Sequence, residues 1–355
     1  MTDPAPALIA SPDLGASPVL LGPTDELDVF AAEAAAVAGR VDPALALARK
    51  LTSVAPKPGE GETLRLWRLL ASLAAGDLTA ARVVEAHLDA LAVLEQSGAD
   101  GADRTWGVFA AEAAGVRLDA TWNGTGWELD GTKPWCSLAG RLDAALVTAH
   151  TSGGSRRLFA VSLTQPGVVV ERGAWHSRGL AAVDSGPVSF SGSRAEPVGA
   201  DGWYLERPGF SWGGIGVAAC WYGGAVGVAR ALLRAAERRE PDQLAAAHLG
   251  AVDAALVSAR ALLVEAAAAV DGGGAQGEEG SRLALRVRRV VAQAAEQVIV
   301  AVGHSLGPAP LALDEDHARR VADLTVYIRQ EHAERDAAAL GRATVSSHQA
   351  GAPVW

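Results

Sequence analysis

The spacing of apolar residues changes twice along this chain, and that order limits the folds it can adopt. From Thr24 to about Gly98, apolar residues recur at three- and four-residue steps, which is typical of amphipathic helices. Between Trp106 and about Gly199 the apolar runs are short and alternating, with Gly, Pro, Ser and Thr between them, which indicates β-strands. After Trp203, four long segments are helical again. A doubly wound α/β sheet needs strands and helices in alternation, so this order excludes it.

The order predicts an α+β chain with helices at both ends and strands between them. The predicted parts are a mobile leader (1–23), an N-terminal helical domain (24–104), a middle antiparallel β-domain (105–202), a C-terminal four-helix bundle (203–345) and a tail (346–355). Within the β-domain, Asp130-Gly131 predicts a hairpin turn, because Asp-Gly favours the positive φ angles of a two-residue hairpin loop.

Net charge and cysteine content exclude several classes of protein. The chain has 355 residues and a formal net charge of −10, whereas a nucleic-acid partner requires a basic surface. Its N-terminus lacks the basic and apolar regions of a signal peptide, and no run of about 18 apolar residues is recognised as a membrane span. Cys136 and Cys220 form neither a disulfide framework nor a zinc site. We therefore expect a cytoplasmic protein that binds no nucleic acid and does not cross a membrane.

Two short motifs match known catalytic or cofactor patterns, but their surroundings do not. Gly303–Gly307 (GHSLG) matches the G-x-S-x-G of a hydrolase nucleophile elbow. The segment before it keeps helical spacing, and Pro308 prevents a helix from starting directly after Ser305. Gly214–Ala219 matches G-x-G-x-x-A, but a Pro/Gly loop precedes it where a dinucleotide-binding fingerprint needs a strand. We interpret Ser305 as part of a loop at a helix terminus and the glycines as helix-packing contacts.

One hairpin carries a resemblance to a known family. Its sequence, GTGWELDGTKPWCS over Gly124–Ser137, resembles the G-x-x-L-x-G-x-K-x-W-[IV]-[ST] hairpin of the acyl-CoA dehydrogenase family, whose order is also helical, β and helical. The matching residues are Gly126, Leu129, Gly131, Lys133, Trp135 and Ser137. The resemblance implies an acyl-CoA dehydrogenase-like fold and an FAD cofactor, with Trp135 packed on the flavin and Ser137 near its reactive N5. The structural alternative is a plain hairpin with a buried tryptophan.

A stretch near the C-terminus resembles the family's Q-x-x-G-G-x-G loop and the helix that follows it. Aligned without gaps, the family pattern places its Gln at His304, its first Gly at Gly307, the aspartate of its R-D pair at Asp323 and its catalytic glutamate at Glu331. The resemblance implies that Gly307 lies in a flavin-contacting loop. It also implies that Glu331 removes the α-proton of an acyl thioester while a hydride leaves for the flavin. The alternative is that Glu331 is a solvated residue on a charged helix.

The chain departs from the family at positions that would contact cofactor or substrate. Ala111 stands at the position of the family's flavin-contacting T-E-P threonine, no G-S-D follows it, and the R-x-x-F-G segment is not visible. His332 follows Glu331 in place of glycine, so we expect the last helix to continue through HAERDAAALG. Three interpretations stay open. The chain is a flavin-dependent dehydrogenase with a divergent substrate, a flavin monooxygenase or oxidase in which His332 or His176 matters more than Glu331, or a non-catalytic paralogue that assembles with an active partner.

The resemblance also implies partners. These are an acyl thioester as small-molecule substrate and further copies of the chain, in a homodimer or homotetramer held by C-terminal helices. The small-residue run GGIGVAACWYGGAVGVA (residues 213–229) suits close helix packing at such an interface or within one subunit. Four tryptophans around the junction of the predicted β- and helical domains are interpreted as core: Trp175, Trp203, Trp212 and Trp221.

Overall fold

A computed structural model of the chain describes residues 17–101 and 103–351; residues 1–16 of the predicted leader and 352–355 of the predicted tail lie outside it. The first helical part comprises a 3₁₀ turn (Glu26–Asp28), α1 (Val29–Ala35), α2 (Val41–Leu51), α3 (Thr63–Gly76) and α4 (Leu78–Gln96). The carboxylate of Asp77 caps α4 by accepting from the backbone N–H of Ala80 at 2.8 Å. The helices pack around a core that includes the fully buried Trp67.

The described end of the predicted mobile leader is packed against the helices. Val19 and Leu21 are buried, and the backbone N–H of Val19 donates to the Ser72 hydroxyl on α3 at 2.9 Å. The prediction of a mobile segment is therefore wrong for residues 17–23. The free energy gained by burying these two apolar side chains offsets the conformational entropy that is lost when the segment is ordered.

The middle of the chain forms one mixed sheet. Its strands are β1 (Trp106–Phe109), β2 (Leu118–Trp122), β3 (Trp127–Lys133), β4 (Ala144–His150), β5 (Arg156–Ser162), β6 (Val168–Val170) and β7 (Val188–Val198). They pair in the order β1-β4-β2-β3-β7-β5, β6 pairs with β7, and a further pairing of β4 with β5 closes the sheet on itself. Both β1 and β2 run parallel to β4, so the prediction of a purely antiparallel domain is wrong in this respect. Alternating hydrophobicity identifies strands but does not set their direction.

The hairpin between β2 and β3 turns at residues 123–126, and the predicted turn at Asp130-Gly131 is wrong. The backbone N–H of Asn123 donates to Gly126 O at 3.0 Å, and the Asn123 side chain accepts from two backbone N–H groups of the turn at 2.9 Å. Gly131 lies within β3 with φ of 121°, where the register against β7 shifts. A Cβ there would lie 2.4 Å from Arg117 O, so the glycine serves a β-bulge.

The C-terminal part is helical. It comprises α5 (Trp203–Glu206), α6 (Pro208–Arg238), α7 (Gln243–Asp271), α8 (Gly277–Leu306), α9 (Ala309–Leu313), α10 (Glu315–Tyr327), a 3₁₀ turn (Ile328–Gln330) and α11 (Glu334–Gln349). Helix α6 packs against α3 on one side and α8 on another. Ser305 lies in the last turn of α8 and Gly214–Ala219 lies inside α6, so neither motif sits in a strand–turn–helix setting. Helix α11 also runs past the predicted tail boundary at residue 346.

The predicted continuous last helix is interrupted at residues 331–333. Ala333 has φ of 46°, and its backbone N–H donates to Glu331 Oε2 at 2.9 Å. The backbone N–H of His332 donates to Asp336 Oδ2 at 3.0 Å. The prediction was wrong because side-chain oxygens satisfy these N–H groups locally, which favours a break over a continuing helix.

Helices α6 and α7 are each long and apolar enough to cross a membrane, contrary to the sequence-based expectation. In α6, 89% of the most apolar 18-residue stretch is buried inside the molecule, so α6 is a core helix. In α7 only 17% of the corresponding stretch is buried, so α7 presents an apolar face outward.

Candidate functional site

The end of the β3 hairpin holds an exposed tryptophan in an unusual backbone conformation. Trp135 has φ of 58° and its side chain is 57% exposed, so the predicted alternative of a buried tryptophan is wrong. Leu138 also has a positive φ, of 59°. The segment is held by backbone bonds from Cys136 N–H to Gly186 O at 3.0 Å and from Leu138 N–H to Asp184 O at 2.6 Å. A strained backbone that fixes a large exposed aromatic ring marks a binding surface.

Ser137 lies beside Trp135 and connects to a buried charged network. Its hydroxyl is 2.8 Å from the Ser185 hydroxyl and accepts from Arg82 Nη2 at 3.2 Å. Arg82 Nη1 in turn donates to Glu85 Oε2 at 3.1 Å, and the Tyr327 hydroxyl donates to the same oxygen at 3.1 Å. Burial raises the pKa of Glu85, and the Arg82 guanidinium opposes that rise. The network joins the β-domain, α4 and α10 in one polar cluster.

Ala111 follows β1 and is next to the same hairpin end. Its neighbour Glu112 accepts from Lys133 Nζ at 2.5 Å, and this buried ammonium also donates to Thr148 Oγ1 at 2.9 Å. Partial burial opposes the charged form of Glu112, but Lys133 and His150 outweigh it, so the pKa of Glu112 is lowered. The ion pair ties the loop after β1 to the hairpin. The methyl group of Ala111 offers no hydrogen bond there.

Glu331 lies in the break between α10 and α11 and is buried. Its Oε1 is 3.4 Å from Arg289 Nη1, and its Oε2 accepts from Ala333 N–H. The alternative of a solvated residue on a charged helix therefore does not describe it. Glu331 follows Tyr327 by about one helical turn, and both Glu331 and Glu85 act electrostatically on the guanidinium of Arg288.

Arg288 links the segment before Glu331 to α6. Its Nη2 donates to Gln330 O at 2.6 Å and its Nη1 to Gly214 O at 2.9 Å. Its guanidinium stacks over the indole of Trp221, 4.6 Å from the ring centroid. Burial lowers the pKa of Arg288, with Asp336 and Glu331 acting in the opposite direction.

Asp323 joins the β-domain to α10. Its Oδ1 accepts from the backbone N–H of Leu180, which has φ of 50°. Gly179 packs so closely on α10 that a Cβ would lie 2.0 Å from Ala322 O. Burial raises the pKa of Asp323 to about 6. The loop that holds Ser185 and Gly186 is therefore anchored on α10.

Gly307 is not brought to this cluster within one chain. It follows the last residue of α8 with φ of 66°, and nothing lies within 4 Å of the place a Cβ would take. Arg288 is near Glu331, but Leu306 lies about 27 Å farther along the α8 axis at the usual rise per residue. The structure thus places Ala111, Trp135 and Ser137 around the end of the hairpin, Glu331 in the break after α10, and Gly307 apart from both.

The charged residues of α4 that face the site were not predicted from the sequence. Arg82, Glu85 and Asp89 are spaced at three and four positions, so they share one face of α4. Asp89 is 3.9 Å from Arg207 Nη2, and Arg207 Nη1 donates to Gln96 Oε1 at 2.6 Å. Burial raises the pKa of Asp89, while Arg207 and Arg82 oppose that rise. A charged stripe on a buried helix was the signal that could have found them.

Comparison with solved structures identifies the fold. The butyryl-CoA dehydrogenase of Megasphaera elsdenii is 18% identical, with a TM-score of 0.75 over 91% of this chain and 99% of that chain. The chain has the acyl-CoA dehydrogenase fold. The predicted order of helices, β-domain and helices is therefore confirmed.

Two further structures with the acyl-CoA dehydrogenase fold are also similar to the chain. KijD3, in complex with FMN and dTDP-3-amino-2,3,6-trideoxy-4-keto-3-methyl-D-glucose, is 20% identical, with a TM-score of 0.77 over 96% of this chain and 97% of that chain. The methanesulfinate monooxygenase MsuC of Pseudomonas fluorescens is 20% identical, with a TM-score of 0.72 over 90% of this chain and 96% of that chain. No protein-family model and no curated protein matches the sequence.

Proposed function

We propose that the chain is a flavin-dependent oxidoreductase whose flavin ring packs against Trp135. The observation that carries this proposal is the strained, exposed Trp135 beside the Ser137 hydroxyl, at the edge of a buried charged network. The similar structures support it, since KijD3 is in complex with FMN and the names of the other two denote oxidoreductases.

The residues at this edge fit an isoalloxazine ring. The open face of Trp135 supplies a stacking surface, and the Ser137 hydroxyl supplies a hydrogen-bonding group beside it. Arg82 fixes the position of Ser137 and places a positive charge next to it. When bound there, a flavin would supply two-electron redox chemistry. The resemblance favours FAD as the cofactor, whereas the missing R-x-x-F-G arginine and the KijD3 complex favour FMN.

Flavin titration tests this proposal. The visible absorbance and the quenching of flavin fluorescence would be followed as the protein is added to FAD and, separately, to FMN. We expect binding of at least one flavin, and binding weaker by about tenfold in Trp135→Ala, because the stacking surface is lost. Trp122→Ala is the matched control, since Trp122 is 55% exposed but lies at the other end of the hairpin. A colourless protein that leaves both flavins free would contradict the proposal and favour the non-catalytic paralogue.

For the reaction, we propose α,β-desaturation of an acyl thioester with Glu331 as the base. Glu331 is a buried carboxylate that the resemblance aligns with the family's catalytic glutamate, and a carboxylate can act as a general base on a carbon acid. The base would take the α-proton while the β-hydrogen leaves with its electron pair as a hydride.

A second candidate is oxygenation or oxidation of the substrate without a carboxylate base. The specific observation in its favour is that each Glu331 oxygen already has a partner, Arg289 on one and Ala333 N–H on the other. Both partners belong to the chain itself, so holding the helix break is a sufficient structural role for this carboxylate. The two candidates therefore differ in whether activity requires the Glu331 carboxylate.

A further inference from the structure

The hydroxyl groups of Ser137 and Ser185 form a pair whose protons can be assigned. The two oxygens are 2.8 Å apart, and the Ser185 hydroxyl donates to the backbone oxygen of Val183 at 2.9 Å. A serine hydroxyl has one proton and two lone pairs. Because the Ser185 proton is used on Val183 O, the proton between the two hydroxyl oxygens belongs to Ser137. Ser137 therefore donates to Ser185.

The surroundings of Val183 favour this direction. Val183 is 1% exposed, and in the described part of the chain its backbone oxygen accepts a hydrogen bond only from the Ser185 hydroxyl. In the opposite arrangement Ser185 would donate to Ser137, and the buried oxygen of Val183 would have no donor. A buried carbonyl oxygen without a donor is costly, so the arrangement in which Ser137 donates to Ser185 is the stable one.

Arg82 occupies one lone pair of the Ser137 hydroxyl. Its Nη2 donates to Ser137 Oγ at 3.2 Å, and its Nη1 donates to Glu85, which holds the guanidinium in place. Ser137 then has one free lone pair and no free proton, and the same is true of Ser185. Both serines are partly exposed, so a bound ligand can reach them. Toward that ligand, the two hydroxyls accept hydrogen bonds and do not donate them.

The oxidation state of a flavin decides which partner its N5 needs. In the oxidised ring N5 has a lone pair and accepts a hydrogen bond, whereas in the reduced ring N5 carries a proton and donates one. The resemblance implies that Ser137 lies near N5. A hydroxyl held as an acceptor suits the N5–H of the reduced ring. The oxidised ring would need the Ser137 proton, and taking it would leave the Ser137 and Ser185 oxygens in contact without a proton between them.

We propose that Ser185 and Arg82 hold the Ser137 hydroxyl as an acceptor, so that this site binds reduced flavin more tightly than oxidised flavin. The inference rests on the proposed function, since it requires a flavin beside Ser137. Ser185 and Arg82 are positioning residues here, because they act through Ser137. Binding of oxidised flavin would sacrifice one hydrogen bond that binding of reduced flavin keeps, which corresponds to a difference in affinity of about tenfold.

Flavin analogues test the direction of the hydrogen bond in the unmodified protein. In oxidised 5-deazaflavin a C–H group replaces N5, so that position accepts no hydrogen bond. We expect this analogue to bind at least as tightly as the matching oxidised flavin, because the site donates nothing to N5. The 1-deazaflavin analogue, which changes a different ring nitrogen, is the control. If 5-deazaflavin binds about tenfold more weakly than both oxidised flavin and 1-deazaflavin, Ser137 donates to N5 and the proposal is wrong.

Variants at position 185 test the positioning role. Ser185→Ala removes the acceptor of the Ser137 proton and frees that proton for oxidised flavin. The preference for reduced flavin should then fall by about tenfold, which is a midpoint potential of the bound flavin about 30 mV lower. Ser185→Thr keeps a hydroxyl and should retain the original potential. Ser189→Ala is the matched control, since it removes a hydroxyl of the same domain that donates to Glu171 instead.

Anaerobic titration with dithionite against indicator dyes measures these potentials. An unchanged potential in Ser185→Ala, or an equal decrease in Ser189→Ala, would overturn the proposal. The analogue comparison needs no variant, so it decides the direction of the hydrogen bond even if Ser185→Ala fails to fold. A protein that binds neither FAD nor FMN would contradict the proposed function and this inference with it. A protein that binds flavin but fails the analogue or potential test would contradict this inference alone.

Discussion

Glu331 is the residue whose chemistry separates the two candidate reactions. Replacing it with Gln keeps the size of the side chain and an oxygen for Ala333 N–H, but removes the group that could accept a proton. If Glu331 is the base, Glu331→Gln should lower flavin-dependent dye reduction by an acyl thioester by about 100-fold or more, while flavin affinity stays unchanged. Stopped-flow reduction with a panel of acyl thioesters measures the first quantity, and fluorescence titration measures the second.

The matched control is Glu296→Gln, since Glu296 forms an exposed ion pair with Arg329 in the same part of α8 and α10–α11. It should leave both quantities unchanged. Thioester-driven reduction that survives in Glu331→Gln would rule out Glu331 as the base. Turnover that requires reduced flavin and oxygen, and that is unchanged in Glu331→Gln, would support oxygenation.

At the residue scale, site residues that stand in one contiguous motif can be predicted from the sequence. Residues that only tertiary packing brings together cannot. Trp135 and Ser137 stand within one hairpin pattern, so their neighbourhood could be predicted. The position of Glu331 depended on the same resemblance, and its ion pair with Arg289 of α8 depends on tertiary packing. Ser137, Arg82 and Tyr327 meet only because the β-domain, α4 and α10 pack together, and nothing in their local sequence shows it.

Helix α6 is the element on which the helical packing depends. Its small residues face other parts of the same chain, which supports the intrasubunit alternative for the run at 213–229. A Cβ at Gly223 would lie 2.0 Å from Ala71 O on α3, and one at Gly227 would lie 2.9 Å from Ala75 O. The backbones of α3 and α6 approach closely only because these positions have no side chain.

Gly223→Ala should therefore destabilise the protein by about 1–3 kcal/mol, because the added methyl group forces α3 and α6 apart. Chemical denaturation followed by far-UV circular dichroism measures the free energy of unfolding. Gly250→Ala is the control on α7, where nothing lies within 4 Å of the added Cβ, and it should be neutral or slightly stabilising. Equal free energies of unfolding for the two variants would contradict this account of the packing.

At the element scale, periodicity predicted where helices and strands lie but not how they begin, end or pair. The strong apolar spacing of α3, α4, α6 and α8 is local, so it could be interpreted without the fold. The parallel pairing of β1 with β4 is set by contacts across 38 positions, and the helix break after Gln330 is set by the Glu331 and Asp336 side chains. The Asp-Gly pair was misassigned because a β-bulge and a hairpin turn both favour glycine at positive φ.

At the scale of the whole molecule, the outward face of α7 is an exposed apolar surface that we expect a partner to cover. Leu244, Val257 and Val264 of α7 and Val300 of neighbouring α8 are exposed. Val257 and Val264 are seven positions apart, so they share one face of the helix. An exposed apolar face of this kind is typical of protein–protein interfaces. We propose that a second copy of the chain covers it, in the homodimer or homotetramer that the family resemblance implies.

Light scattering during size-exclusion chromatography should give a mass of two or four times 36.3 kDa for the unmodified protein. The double substitution Val257→Lys with Val264→Lys should shift that mass to the monomer, because two ammonium groups would be buried without partners at the interface. Val169→Lys, at a still more exposed valine on β6, should leave the mass unchanged. A monomeric unmodified protein that floats with lipid vesicles would instead mean that α7 binds a membrane. A monomer that stays away from vesicles would leave the face without either partner and would contradict the assembly outright.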